Sequence, residues 1–238
     1  MLISHSHRFI YVKTRKTAGT SVEVYFEPYC RDPERGETVS RRRTPEVSDR
    51  GVVSGGSRFF WERNRVWFNH MPAEEIRAAL DPETWAGYLK FCVVRNPFDK
   101  VVSSFWWRIP ARERSRLDEA PFDEVRAAFA RWVGSPYVSV RARARRKPNE
   151  HIPTDRPIVA VDGDLGVDEV IRHETLETDM GRVCERLGVP WEPDRLGRFK
   201  SGYWTRPEPA ADYYDDATVR RVRDLFAWEL ETFGYDAP

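Results

Sequence analysis

The stretch FIYVKTRKTAGTSVEVYFE, residues 9–27, decides the fold. Phe9 to Lys13 is a short apolar run that predicts a strand, Thr14 to Gly19 form a polar turn, and Thr20 to Glu27 start a helix. Helix N-termini expose unpaired N–H groups and carry about half a positive charge, so a loop entering a helix suits an anion. Thr17, Thr20 and Ser21 add hydroxyls, Lys16 adds a point charge, and small Ala18 and Gly19 let a ligand approach the backbone. Lys16 precedes Gly19 and GxxxxGK[ST] is absent, so this is a phosphate cradle of another kind than the nucleotide-triphosphate loop. The plainer reading is a Ser/Thr-capped helix with solvated lysines.

A second unit of the same kind lies downstream. Lys90 to Val94 (KFCVV) is a continuous apolar run typical of a buried parallel strand. Arg95 leaves its end, and Asn96-Pro97 opens a helix whose Phe98, Val101, Val102, Phe105 and Trp106 share one face. Ser103 falls eight residues after Arg95, about two helical turns on. The carboxyl ends of strands are where open α/β sheets bind ligands. A lone Arg there reads equally well as a salt-bridge partner.

Around these units, residues 31–65 read as a long Arg/Gly/Ser-rich excursion. Val66–Phe68 predicts a second strand, and Pro72 followed by AEEIRAAL predicts a helix. A helix is expected over 121–133, strands over 157–161 and 167–172, and helices over 174–187 and 216–233, with Gly188 and Gly234 as stops. Alternating strands and helices predict a three-layer α/β/α architecture around a central parallel sheet, in a single domain of 238 residues.

Composition narrows the function. There are 39 basic and 38 acidic residues, for a net charge of +1, which does not support a nucleic-acid binder. Six of the basic residues are Lys and the rest Arg, whose planar forks suit phosphate and sulfate locally. Cys30, Cys92 and Cys184 are far apart and form no disulfide framework, which fits a reducing compartment. No apolar stretch approaches a membrane span and no signal peptide is apparent, so a cytoplasmic protein is expected. His5 and His7 form an HxH pair without a third ligand, and no metal is expected. The Arg141–Lys147 run fits an acidic glycan or plain solvent equally.

The paired motifs resemble those of sulfotransferases that use 3′-phosphoadenosine 5′-phosphosulfate (PAPS). KTRKTAGTS (13–21) is similar to that family's 5′-phosphosulfate loop, and RNPFDKVVSS (95–104) to its 3′-phosphate motif, with Asn96 where Asp is commoner. The Lys-Thr-Ala-Gly-Thr-Ser form looks closest to the carbohydrate branch, which includes the uronyl 2-O-sulfotransferases. VIRHETLETDMGRVCERLGV and YYDDATVRRVRDLFAWELETFGY are similar to that branch's later segments. The resemblance implies a P-loop-like nucleotide-binding fold, PAPS as donor, adenosine 3′,5′-bisphosphate (PAP) as product and no metal. It implies that Lys16 contacts the bridging oxygen and that Arg15, Thr17, Ala18, Gly19, Thr20 and Ser21 line the 5′ end. Arg95 and Ser103 would hold the 3′-phosphate, with Lys200 and Ser201 in a late loop over it. An ordinary Gly turn explains Arg198–Tyr203 as readily. Animal Golgi members begin with a membrane anchor and this chain starts at the core, which implies a soluble bacterial relative.

Transfer to a hydroxyl needs a base, and His70 is the candidate. The 2-O-sulfotransferases place a catalytic His in a comparable strand-to-helix turn. The alternatives are a His that caps the next helix, or a Glu base at Glu62, Glu74 or Glu75. The acceptor implied is a carbohydrate or glycosylated metabolite, with 31–65 and 108–156 as acceptor-side insertions; Trp61, Trp67 and Trp107 suit stacking on sugars and on phenols equally. Two rivals remain. A nucleotide-dependent kinase would need a triphosphate loop and a Mg²⁺-binding Asp, for which Asp162 and Asp164 are poor substitutes. A non-catalytic protein binding PAP or glycan would need no base.

Overall fold

The computed structural model describes residues 1–32, 34, 44–56, 66–137, 149–199 and 202–238. They divide into two compact units, one of residues 1–94 and 155–199, the other of residues 95–154 and 200–238.

The first unit is a mixed α/β body built on a six-stranded sheet flanked by helices. Its strands are β1 (Leu2–Ser4), β2 (Phe9–Val12), β3 (Glu46–Ser48), β4 (Gly51–Val53), β5 (Leu89–Val94) and β8 (Glu169–Arg172), in the order β3-β4-β1-β2-β5-β8. The expected parallel arrangement holds only for β2, β5 and β8. β1 pairs antiparallel with β2 and with β4, and β3 with β4. Two features of the sequence hide this half of the sheet. The β1–β2 turn is His5-Ser6-His7-Arg8, without the Asn-Gly or Asp-Gly signature of tight hairpins, and Arg8 supplies the positive φ itself. The β3–β4 hairpin is buried in the Arg-rich excursion, pinned by Arg31, which donates to Glu27 at 3.2 Å and lies 3.4 Å from Glu46.

The parallel core is as apolar as its sequence. Every residue of β2 is buried, and Phe91 to Val94 are fully so. Helices α1 (Gly19–Phe26) and α8 (Leu176–Leu187) cover them, with Val22, Phe26, Met180, Val183 and Cys184 inward. Gly188 ends α8 in the left-handed conformation, as expected. Helices α2 (Ala73–Ala79) and α3 (Pro82–Gly87) precede β5. The expected strand at 66–68 reduces to one bridge, Gly55 with Phe68. The expected strand at 157–161 is instead a short helix, α7 (Arg156–Val159), before the two-residue strands β6 (Ala160–Val161) and β7 (Asp164–Leu165). Pro157 sets the helical φ of a first turn, which outweighs the β-branched pair Ile158-Val159.

The second unit is helical among its described residues: α4 (Pro97–Arg108), α5 (Ala111–Glu119), α6 (Phe122–Gly134), α9 (Asp216–Leu225) and α10 (Ala227–Phe233). Phe98, Val101, Val102, Phe105 and Trp106 of α4 pack with Val125, Phe129, Val133, Val222 and Phe226 in its core. The single helix expected over 216–233 breaks at Phe226, where φ is −112° and ψ 20°. Its apolar stripe runs through the break, so periodicity cannot report it. Cys30, Cys92 and Cys184 are all free and buried. Among the described residues no helix is long and apolar enough to cross a membrane.

His151, also buried, donates from Nε2 to the Trp132 carbonyl at 3.1 Å. Burial, helped by nearby Arg108 and Arg221, lowers its pKa to about 4. The unfolded chain therefore binds a proton near pH 6.5 that the folded chain refuses. Stability should fall as pH drops from about 6.5 to about 4, by roughly 2–3 kcal/mol, and His151→Gln should flatten that slope in urea titrations. A second test is steric. A Cβ on Gly51 would stand 2.0 Å from the Ile3 carbonyl oxygen, whereas one on Gly134 would meet nothing within 4 Å. Gly51→Ala should cost about 2 kcal/mol or more, and Gly134→Ala less than about 0.5 kcal/mol, by the same titration.

Candidate active site

The loop after β2 is built from the inside out. Lys13, Thr14 and Thr17 are buried, Lys16 and Ala18 are partly exposed, and Arg15 faces solvent. Thr14 Oγ1 donates to the Val93 carbonyl of β5. A hydroxyl has one proton, so the 2.7 Å contact between Thr14 and Thr17 must be a donation from Thr17 to Thr14. The Thr17 hydroxyl is thus part of the loop's floor. It does not add a donor toward a ligand, as its sequence position suggests it would.

Lys16 and Ala18 both adopt positive φ, 61° and 62°. Left-handed residues inside a loop turn successive N–H groups toward a common side, an arrangement that binds anions. Ala18 is the N-cap of α1, and no side chain caps that helix end. Its first turn carries no acidic residue. A side chain at Gly19 would crowd the loop, with its Cβ 3.1 Å from the Tyr11 hydroxyl oxygen and 3.2 Å from the Thr14 carbonyl oxygen. The Tyr11 hydroxyl donates to the Gly19 carbonyl at 3.2 Å. Thr20 and Ser21 follow, both buried, and Ser21 Oγ accepts from the Phe199 N–H at 3.4 Å. Phe199 brings the late segment to this loop; Lys200 and Ser201 themselves lie outside the described residues.

His70 meets the same loop from 57 residues away. Its Nδ1 is 3.0 Å from the Lys13 carbonyl oxygen. A carbonyl only accepts, so Nδ1 carries the proton and Nε2 keeps its lone pair. His70 itself has φ 59°, a backbone conformation that turns it out of the regular path before α2. Its pKa lies well below the ordinary imidazole value, first through burial and then through the charges of Lys13 and Arg15. The result is a neutral imidazole with a fixed tautomer, the form a general base requires. Lys13 in turn anchors to α1 through Glu23, Nζ to Oε2 at 2.5 Å. Neither Lys13 nor Thr14 nor Glu23 is singled out by sequence reasoning, because their roles arise only from the contacts of β2 with β5, α1 and His70. Of the alternative bases, Glu62 lies outside the described residues, and Glu74 is exposed and accepts from the Asp162 N–H at 3.5 Å.

In the second unit, Asn96 is the N-cap of α4, accepting from the Phe98 N–H at 2.9 Å. Asn and Asp serve that role alike, which accounts for the departure from the commoner Asp. Arg95 is partly exposed, its guanidinium carbon 5.9 Å from the centroid of the Trp204 ring. Of the serine pair, Ser104 is fully buried and Ser103 is not, so the residue eight positions after Arg95 keeps access to solvent.

His5 and His7 are occupied locally, His5 with the Tyr88 hydroxyl at 2.9 Å and His7 with Ser6 Oγ at 3.0 Å. Trp67 is partly exposed and Trp107 exposed; Trp61 and the Arg141–Lys147 run lie outside the described residues.

A protein of Archaeoglobus fulgidus, itself uncharacterized, is 31% identical over 124 residues, which is 52% of this chain and 88% of that protein. No solved structure matches the chain. The sequence model of the sulfotransferase family matches residues 1–236, so it embraces the cation-rich loop, the His70 turn and the Arg95 helix together: the chain belongs to the sulfotransferase family.

Proposed function

We propose that this sulfotransferase moves the sulfuryl group of PAPS to a hydroxyl of a carbohydrate or glycosylated metabolite and releases PAP. The observation that carries the reading is the neutral, tautomer-fixed His70 held against the cation-rich loop by the Lys13 carbonyl. The donor set also fits an anionic nucleotide: the loop combines Lys16, two left-handed residues and a helix start free of acidic side chains. PAPS supplies the sulfuryl group when bound. Lys16, with Arg15, Thr20, Ser21 and the backbone from Thr17 to Gly19, holds the 5′ end, and Arg95 and Ser103 hold the 3′-phosphate.

His70 Nε2 takes the proton of the acceptor hydroxyl as its oxygen attacks sulfur. The bond from sulfur to the bridging oxygen breaks, and Lys16 stabilises the negative charge that grows on the departing phosphate. The products are a sulfate ester, PAP and a proton on His70, which passes to solvent. No step needs a metal. Among the described residues no helix is long and apolar enough to cross a membrane, and the cytoplasm is the proposed location.

Thermal unfolding tests the cofactor. PAP at about 100 times its dissociation constant should stabilise the chain by roughly 2.7 kcal/mol, with little effect from 5′-AMP or ATP. A shift with ATP alone would replace this reading with a phosphotransferase; tight PAP binding without transfer to any acceptor would leave a binding protein. Kinetics test the residues. Lys16→Ala should cost about 10²-fold or more in kcat, and Arg95→Ala should act mainly on PAP affinity. His70→Ala should lower kcat by about 10²–10⁴-fold while leaving PAP binding intact. Because the base works when unprotonated and its pKa is depressed, kcat/KM should stay flat well below pH 6.5 before it falls. An acid limb at or above pH 6.5 would assign the base to another group.

A further inference from the structure

We propose that Trp204 is a positioning residue for Arg95, restraining its guanidinium and thereby setting how strongly the protein selects a 3′-phosphorylated nucleotide. This rests on the assignment of Arg95 to the 3′-phosphate. The two residues are 109 positions apart in sequence, yet the Arg95 guanidinium carbon lies 5.9 Å from the Trp204 ring centroid. A cation over an indole face is attracted to the ring's negative quadrupole. Arg grips phosphate oxygens as a planar fork, so a contact that restrains the guanidinium bears on that grip. An arginine already restrained by a packed ring loses less side-chain freedom on binding.

The segment that carries Trp204 is built to hold still. Arg206 donates from Nη1 to three carbonyls at the end of α5, those of Leu117 at 3.0 Å, Asp118 at 3.1 Å and Ala120 at 3.0 Å. Its Nε and Nη2 grip the Glu208 carboxylate at 2.9 and 2.6 Å. Thr205 Oγ1 donates to Asp118 at 3.1 Å. On the other side of Trp204, the Arg114 guanidinium lies 4.7 Å from the Tyr203 ring centroid while it donates to the Trp106 and Ile109 carbonyls at 2.8 and 3.1 Å. Trp204 meets Tyr213 edge-on, 6.1 Å between centroids, and Tyr213 accepts from Trp106 at 3.2 Å. Residues on both flanks are thus stapled to α4 and α5, and the indole between them is presented to Arg95.

Calorimetric titration of the full chain with PAP and with 5′-AMP tests this. Trp204→Leu should weaken PAP binding about five- to tenfold and leave 5′-AMP within about twofold. Trp204→Phe, which keeps an aromatic face, should recover most of the loss. In an Arg95→Ala background, Trp204→Leu should have no further effect. Equal losses for both ligands, or a Trp204 effect that persists without Arg95, would overturn the proposal, since both would mean a role in the nucleotide site or the fold at large. Because Trp204 touches the core, Arg206→Gln provides a second route. It frees the strap from α5 with the indole intact and should give the same selective loss at about threefold. An unchanged PAP to 5′-AMP ratio in both variants would also overturn the proposal. Should Arg95→Ala itself leave that ratio unchanged, the 3′-phosphate assignment fails and this inference with it. Should Arg95→Ala lower the ratio while Trp204→Leu does not, only the role of Trp204 fails.

Discussion

The Thr14 hydroxyl has one proton, and it is committed to the carbonyl of Val93. That commitment fixes the direction of the next bond, from Thr17 to Thr14, and so seals the floor of the loop to the neighbouring strand. The tie is possible because β2 and β5 are parallel neighbours with Val12 opposite Cys92, which brings the end of one strand beside the end of the other. With the floor tied down, the loop above it holds two left-handed residues before α1 begins. The same anchoring fixes the Lys13 carbonyl, and with it the tautomer of His70. Buried polar groups that are fully satisfied rigidify what they connect, and here they connect a strand pair, a loop and an imidazole.

Positive charge serves two ends in this loop. Cations suit an anionic ligand, and they also make a poor environment for an imidazolium. Lys13 and Arg15 add to burial in keeping the His70 ring uncharged. A neutral imidazole and a loop suited to an anion can therefore share one electrostatic setting. Glu23 limits the cost of burying Lys13 by pairing with it, and it does so on the helix side of the loop.

The chain announced the parts of the fold that have strong local signals. The apolar runs at 9–12 and 90–94, the stripes of α4, α6 and α8, and the stop at Gly188 all follow from spacing alone. The antiparallel half of the sheet did not, because three-residue strands such as Leu2–Ser4 and Glu46–Ser48 are too short to show a period and their turns lack the usual residues. Phe226 shows the opposite failure, a break that a continuous stripe conceals. The candidate site was legible as a loop and a histidine. Its inner supports were not, since the parts played by Thr14, Lys13 and Trp204 depend on partners 79, 57 and 109 residues away.

Both units are discontinuous in sequence, and this shapes how the chain can fold as it is made. β5 pairs with β2 on one edge and with β8 on the other. Its second edge has no partner until residues 169–172 exist, 75 to 78 residues after Val94. At the usual pace of synthesis that is about 4–15 s during which Phe91 and Val93, fully buried in the finished protein, line an open strand edge. The helices α4 to α6 emerge in that interval, but their own core is completed only by residues 213–226 near the chain's end. Neither unit can finish before the other has begun, so the two must fold interleaved along the chain.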